Sequence, residues 1–383
     1  MMATLDTVDL LQRLVAFPTV SHQSNLALIE WVAGYLREQR IESNLVYNTD
    51  RTKANLYASV GPLVPGGLAL SGHTDVVPVT DQAWSGDPFR PWADDGRIYG
   101  RGTADMKGFI AAAIAQVVSF SAERLVRPVY LALSHDEEIG CLGAPQMIAE
   151  MRKQLPPPAM VVVGEPTRMR LANAHKGICV HRTRVIGKEA HSSLTHLGMS
   201  AVSVAGQLIA QLAELEVRAR VGPQMQGAMP PYTSISTNII HGGTAINILA
   251  GSCEFIWEVR AIPGDSADWV RTEVSRCADK LITAAGGRCS LTTETMVDVP
   301  PLHPGERADE SRIADWLESG VEAGVVPFCS EAGQFQAAGW PAVVCGPGDI
   351  AQAHRPDEFV SLDQLRRCDV FLTRAVAGYC GYN

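Results

Sequence analysis

The chain has 383 residues, 46% hydrophobic and 19% charged, more sequence than one hydrophobic core usually organises, so two domains are expected. Lys plus Arg number 32 against 41 Asp plus Glu, a formal charge of −9, and without a basic run this balance argues against nucleic acid as a partner. Apolar stretches such as 109–118 fall short of the roughly 20 residues that a membrane-spanning helix needs, which excludes a membrane partner of that kind.

The first segment carries Asp6 and Asp9 and no apolar run behind positive charge. It does not read as a secretory leader, and the cytoplasm is the default compartment. From Ser24 onward, Leu26, Ile29, Ala33 and Leu36 recur at helical spacing, with Arg37 and Arg40 where a helix C-terminus favours cations. Three short apolar runs, 68–70, 129–133 and 160–163, read as buried strands, and helical stretches at 106–120 and 144–151 alternate with them. That alternation predicts an α/β fold in which a mixed sheet is flanked by helices.

The rhythm changes in the middle of the chain. A strand at 178–187 precedes a helix on which Met199, Val202, Ile209 and Leu212 are expected to share one face. Two strands follow, at 234–241 and 253–260; in the second, Cys253, Phe255, Trp257 and Val259 point one way while Glu254, Glu258 and Arg260 point the other. A helix with Val270, Val274, Cys277 and Leu281 on one face and a strand at 289–297 complete the order β-α-β-β-α-β, a ferredoxin-like unit. A helix near 311–323, a strand at 342–345 and a last helix from Leu362 then return to the first domain. The expected division is 1–177 and 299–383 for one domain, interrupted by 178–298. Nine cysteines, at 141, 179, 253, 277, 289, 329, 345, 368 and 380, include no C-x-x-C pair and read as reduced thiols.

Ligands of open α/β sheets bind beyond the carboxyl ends of the strands. The run at 68–70 leads to His73 and Asp75; that at 129–133 leads to His135, Asp136, Glu137 and Glu138; that at 160–163 leads to Glu165; that at 342–345 leads through Gly346-Pro347-Gly348 to His354. Asp105 sits in a Gly-bracketed turn that opens a helix. Singly, each is an ordinary loop residue or cap. Jointly, two His and three carboxylates at one sheet edge match what a pair of zinc ions requires. Two metals about 3.5–4 Å apart need a shared carboxylate, and Asp105, standing alone between the others, is the natural bridge. Asp75, two residues after His73, suits the other ring N–H of that imidazole. Of the adjacent pair Glu137-Glu138, one can bind metal while the other works as general base.

These motifs, Ser71-Gly72-His73-Thr74-Asp75, Gly100 to Gly108, Asp136-Glu137-Glu138, Gly164-Glu165-Pro166-Thr167, Gly187 to Ser192 and Ala353 to Glu358, resemble as a set those of the zinc-dependent amidohydrolase and peptidase family that also holds aminoacylases and dipeptidases. The resemblance covers essentially the whole chain. It implies two Zn²⁺, with Co²⁺ as a substitute, held by His73 and Glu165 at one position, by Glu138 and His354 at the other, and bridged by Asp105. It also implies Glu137 as general base, Asp75 as the residue orienting His73, and an inserted βαββαβ lid that dimerises. By the same resemblance His191 in the lid donates to the oxyanion, and Asn247 touches substrate. Arg260, the last residue of a lid strand's polar face, is the candidate for a substrate α-carboxylate, the alternative being an ion pair with Glu258 or Glu254. Within the family, 329–332, 346–354 and 174–177 are most similar to members that deacetylate N²-acetyl-L-ornithine, and Glu331 could receive the positively charged side chain of such a substrate. Ser330 and the pair Val76-Val77 depart from that pattern. N-succinyl-diaminopimelate, acetylcitrulline or a dipeptide are the alternative substrates, and an inactive metal-binding relative is the third reading.

Overall fold

The computed structural model describes residues 4–120, 125–305, 313–317 and 323–381. The chain divides into two compact units: Met1–Ala174 with Leu302–Val326 and Ser330–Asn383, and His175–Pro301 with Pro327–Cys329. Most of the helix anticipated near 311–323 lies outside the described residues. In chain order the strands are Ser43–Tyr47 (β1), Ala54–Val60 (β2), Leu68–His73 (β3), Trp92–Asp94 (β4), Arg97–Tyr99 (β5), Val129–Ser134 (β6), Met160–Val163 (β7), Ala172–His175 (β8), Ile178–Ile186 (β9), Ser234–Gly242 (β10), Ser252–Arg260 (β11), Ser290–Val299 (β12), Gly324–Val326 (β13), Ala342–Val344 (β14) and Phe359–Ser361 (β15). The described helices are Thr7–Val15 (α1), Leu26–Glu38 (α2), Gly108–Ser119 (α3), Ala144–Gln154 (α4), Ala201–Arg220 (α5), Asp268–Ala285 (α6), Ala332–Ala337 (α7) and Leu362–Cys380 (α8).

The first unit is built on an eight-stranded mixed sheet in the order β1-β2-β6-β3-β7-β14-β8-β13. Its centre is parallel: β3 pairs with β6 and β7, and β7 with β14. Central parallel strands are covered on both faces, and these are fully buried and mainly apolar up to the polar ends of β3 and β6. Successive residues point to opposite faces. Leu68, Leu70, Leu131, Leu133 and Val162 therefore join a core shared with α1, α2, α3 and α8, whereas Ala69, Tyr130, Ala132, Val161 and Val163 meet α4 and α7 on the other side. Helix α3 is apolar almost all round, and all of Gly108–Ile114 is buried, as befits a helix inside the core. Helices α1 and α8 start with side-chain caps, Asp6 accepting from Asp9 N and Ser361 from Gln364 N. A small sheet, β15-β5-β4, completes the unit.

The second unit is an antiparallel sheet in the order β10-β11-β9-β12, with α5 and α6 packed on one face. Phe255, Trp257, Val259 and Cys253 face those helices, while Glu254, Glu258 and Arg260 alternate onto the other face. The expected face of α5 needs correction. Met199 precedes the helix and Val202 is 38% exposed; the buried stripe is Val204, Leu208, Leu212 and Leu215. The helix begins at Ala201, capped by Ser200, so counting from residue 199 shifts the stripe by part of a turn.

None of the nine cysteines is disulfide-bonded, and among the described residues no helix is long and apolar enough to cross a membrane. Two buried bases, His175 and His181, are both pulled down to about 4 by burial and make the fold acid-sensitive. His175 is completely enclosed, and burial pulls its imidazole down to about 4, with the Lys176 carbonyl that Nδ1 reaches at 2.9 Å acting the other way. Between that value and the ordinary 6.5 the unfolded chain binds the extra proton, so stability is full above about pH 6.5 and falls on acidification towards pH 4. The loss from this site is about 3 kcal/mol. His175→Asn is therefore expected to move the acid-unfolding midpoint to lower pH relative to its own stability at pH 7.5, read by fluorescence. An unchanged acid limb would show that the ring takes its proton in the folded state.

Candidate active site

The carboxyl ends of β3, β6 and β7, together with the turns before α3 and after β14, supply the polar groups. His73 is the last residue of β3 and is 1% exposed. Its Nδ1 lies 2.9 Å from the carbonyl oxygen of Asp75, an acceptor that calls for a proton on Nδ1, and its Nε2 lies 3.0 Å from Asp105 Oδ1. The carboxylate of Asp75 is 3.6 Å from Nδ1. It also accepts from Ser21 Oγ at 2.8 Å and from the backbone N–H groups of Glu137 and Glu138 at 3.1 and 3.3 Å. Backbone and carboxylate of Asp75 thus both face the imidazole, and the carboxylate also caps the turn that carries the two glutamates.

Asp105 presents an oxygen to each of two imidazoles: Oδ1 to His73, and Oδ2 to His354 Nε2 at 3.4 Å. His354 Nε2 also lies 3.0 Å from Glu138 Oε2, and Glu165 Oε1 lies 3.9 Å from His73 Nε2. Donor atoms of His73, Glu137 and Glu165 all fall within 4.8 Å of one another, as do those of His73, Asp105 and Glu138. Two residues here take left-handed backbone that non-glycine side chains avoid, Asp136 (φ 59°) and His354 (φ 65°), a cost that clusters at functional sites. Two glycines make room. A Cβ on Gly164, just before Glu165, would lie 1.8 Å from the Phe109 ring, and one on Gly346 would lie 2.0 Å from the Gly164 carbonyl.

The electrostatics are those of a cation site held together by protons. Burial opposes charge on His73, but hydrogen bonds to Asp105 and Asp75 outweigh it and hold this imidazole well above its ordinary value. Hydrogen bonds to Asp105 and Glu138 raise His354 to about 10. For Asp105 burial works upward, but His354 and His73 overcome it and keep the carboxyl below the usual range. Glu138 and Glu165 are pushed up, first by burial and then by the negative charge of Asp105. Glu165 Oε1 is buried with no hydrogen-bond partner. Buried carboxylates this close together demand positive charge, and a donor set of two imidazole nitrogens and several carboxylate oxygens fits divalent ions of the zinc and cobalt type.

Glu331 is 1% exposed, with Oε2 3.5 Å from Ser71 Oγ, and burial pushes its carboxyl up to about 7. That seats it at the start of α7, within electrostatic reach of His73 and Asp75. In the second unit, the His191 and Asn247 loops pair through their backbones: Ser192 N donates to the Asn247 carbonyl at 2.9 Å, and Leu249 N to that of Ala190 at 2.8 Å. The His191 ring accepts at Nδ1 from Ser193 Oγ at 2.9 Å. Arg260 does approach Glu258, at 3.4 Å, a long contact on a side chain 33% exposed, which leaves little held energy against recruitment of the guanidinium elsewhere. Sequence reasoning gave no role to Ser21, Arg101 or Glu358. The last two stand inside motifs quoted for their neighbours, which is the one signal that could have drawn attention to them.

An open α/β sheet carrying a His and carboxylate cluster at its carboxyl edge defines a metallohydrolase-type site. The chain belongs to peptidase family M20/M25/M40, whose sequence model matches residues 69–378. It is 36% identical over 382 residues to an acetylornithine deacetylase of Myxococcus xanthus and 32% identical over 387 residues to one of Yersinia pestis, each match covering 97% of both chains. In fold it is similar to an M20 family metallo-carboxypeptidase of Sulfolobus solfataricus (TM-score 0.76, 17% identity, covering 98% of this chain and 99% of that one). It is similar also to a dinuclear metal-binding M20 peptidase of Bacillus subtilis (TM-score 0.67, 16% identity, 97% of each).

Proposed function

We propose that this chain is a metal-dependent amidohydrolase that converts N²-acetyl-L-ornithine and water to L-ornithine and acetate, a step that feeds arginine biosynthesis. The observation that carries the chemistry is Asp105 offering one oxygen to each imidazole, with Glu137 beside the same His73. The substrate choice is supported by full-length similarity to acetylornithine deacetylases.

In this reading His73 and Glu165 would hold one Zn²⁺ and Glu138 and His354 the other, with Asp105 as the shared ligand and Co²⁺ as a substitute. When bound, the metal pair supplies Lewis acidity and lowers the pKa of water towards about 7. Glu137 accepts a proton from the attacking water as its oxygen bonds to the acetyl carbon, then delivers that proton to the nitrogen as the C–N bond breaks. Asp75 fixes the peptide N–H groups on which Glu137 and Glu138 depend. Three residues of the second unit carry the substrate-binding groups of this reading: His191 as oxyanion donor, Arg260 as the fork for the α-carboxylate, and Asn247 as a polar contact. The chain acts as a cytoplasmic homodimer joined through that unit.

A substrate panel tests the assignment. The kcat/KM for N²-acetylornithine is expected to exceed those for acetylmethionine, acetylcitrulline and N-succinyl-diaminopimelate by at least roughly tenfold, the scale on which a few substrate contacts discriminate. Equal turnover across the panel would remove the preferred substrate while leaving the chemistry.

A further inference from the structure

Arg101 and Glu358 are both 1% exposed and stand 257 positions apart, yet Nη1 of the arginine meets Oε2 of the glutamate at 2.7 Å. The other oxygen, Oε1, accepts the backbone N–H groups of Ala104 at 2.9 Å and Asp105 at 3.1 Å. This one carboxylate therefore fixes the backbone of the residue that faces both imidazoles. The same guanidinium continues towards His354. Nη1 reaches the carbonyl of Arg355 at 3.3 Å, Nη2 donates to Gln82 Oε1 at 2.5 Å, and Gln82 Nε2 donates to the carbonyl of His354 at 2.9 Å. The Trp84 ring covers the guanidinium, its centroid 5.0 Å away.

His354 needs such support. Its backbone is left-handed and its side chain is 52% exposed, so core packing does little to hold the ring in place. The arrangement is also a poor one for stability alone. Arg101 Nε is buried with no hydrogen-bond partner, and a buried ion pair gains little over apolar residues of the same volume. What the pair does do is tie two loops far apart in sequence to one rigid group.

We propose that Arg101 and Glu358, extended by Gln82, form a brace that sets the position of His354 relative to Asp105 and so shapes the second cation position before metal arrives. The inference rests on the dinuclear reading above and makes all three positioning residues. None of them offers a donor atom to the cation. Rigid placement of ligands by outer groups is worth about 10–100-fold in metal affinity where it has been removed.

The test is calorimetric titration of metal-free protein with zinc, with thermal unfolding followed in the same metal-free state. Gln82→Leu cuts the tie to His354 from a half-buried loop residue, and Glu358→Gln weakens the ion pair. Each variant is expected to weaken one of the two binding steps about 10–100-fold while the other stays within about twofold, and Gln82→Leu keeps the wild-type melting midpoint. Should Glu358→Gln fail to fold, Gln82→Leu decides by itself. Wild-type affinity for both zinc ions in the folded variants overturns the brace and leaves the dinuclear reading standing. A loss shared equally by both steps, or one that follows a lowered metal-free midpoint, gives these residues a merely structural part and also overturns it. Wild-type protein that binds no zinc removes the dinuclear reading and the brace with it.

Discussion

Glu137→Gln is expected to retain wild-type metal content and to lower kcat by about 10²–10⁴-fold, with KM little changed. The substitution keeps the shape of the side chain and leaves untouched the backbone N–H that Asp75 Oδ1 holds at 3.1 Å, so the turn carrying Glu138 is preserved. What disappears is the basic oxygen within reach of His73 and Glu165. A carboxamide cannot carry a proton from water to the departing nitrogen, so the loss falls on the chemical step rather than on binding. Metal analysis and steady-state kinetics on one preparation separate the two effects. A near-wild-type rate would reassign the base, and loss of metal would make Glu137 a ligand.

The second large effect falls on Asp105. Asparagine at this position still presents one carbonyl oxygen, but its other face carries N–H donors that repel a cation. The position shared by His354 and Glu138 then lacks an anionic neighbour. Asp105→Asn is expected to bind the second zinc at least about tenfold more weakly and to lose most turnover. A readout independent of activity exists. In metal-free protein Asp105 is the first of the groups that raise His354 to about 10, so the variant's imidazole should titrate nearer its ordinary range when followed by NMR. His354 titrating as in wild type would mean that Glu138 alone holds the ring.

The ends of the central strands were legible because runs such as 129–133 and 160–163 are apolar on both faces and break abruptly into His, Asp or Glu. That one pattern brings His73, Glu138, Glu165 and His354 into view. Other features rest on contacts with no local signature. β4, β5, β13 and β15 are three residues long, too short for periodicity to register. Asp75 follows His73 so closely that a carboxylate-to-imidazole bond is the natural expectation. The structure keeps the carboxylate 3.6 Å from that imidazole and also has it accept from peptide N–H groups more than 60 positions away. The Arg101 and Glu358 pair is likewise invisible along the chain. On α5, Met199 looks like a first apolar position along the chain, but Ser200 caps the helix and leaves Met199 outside it.

In the proposed reading, side chains from five separate segments make a site for two divalent cations on which hydrolysis depends. The direct measurement is zinc add-back to exhaustively chelated protein, with bound metal counted by mass spectrometry and N²-acetylornithine hydrolysis followed in parallel. Activity lost on chelation and restored as occupancy approaches two zinc ions per chain is the predicted result. Full turnover in protein shown to carry no metal would contradict it.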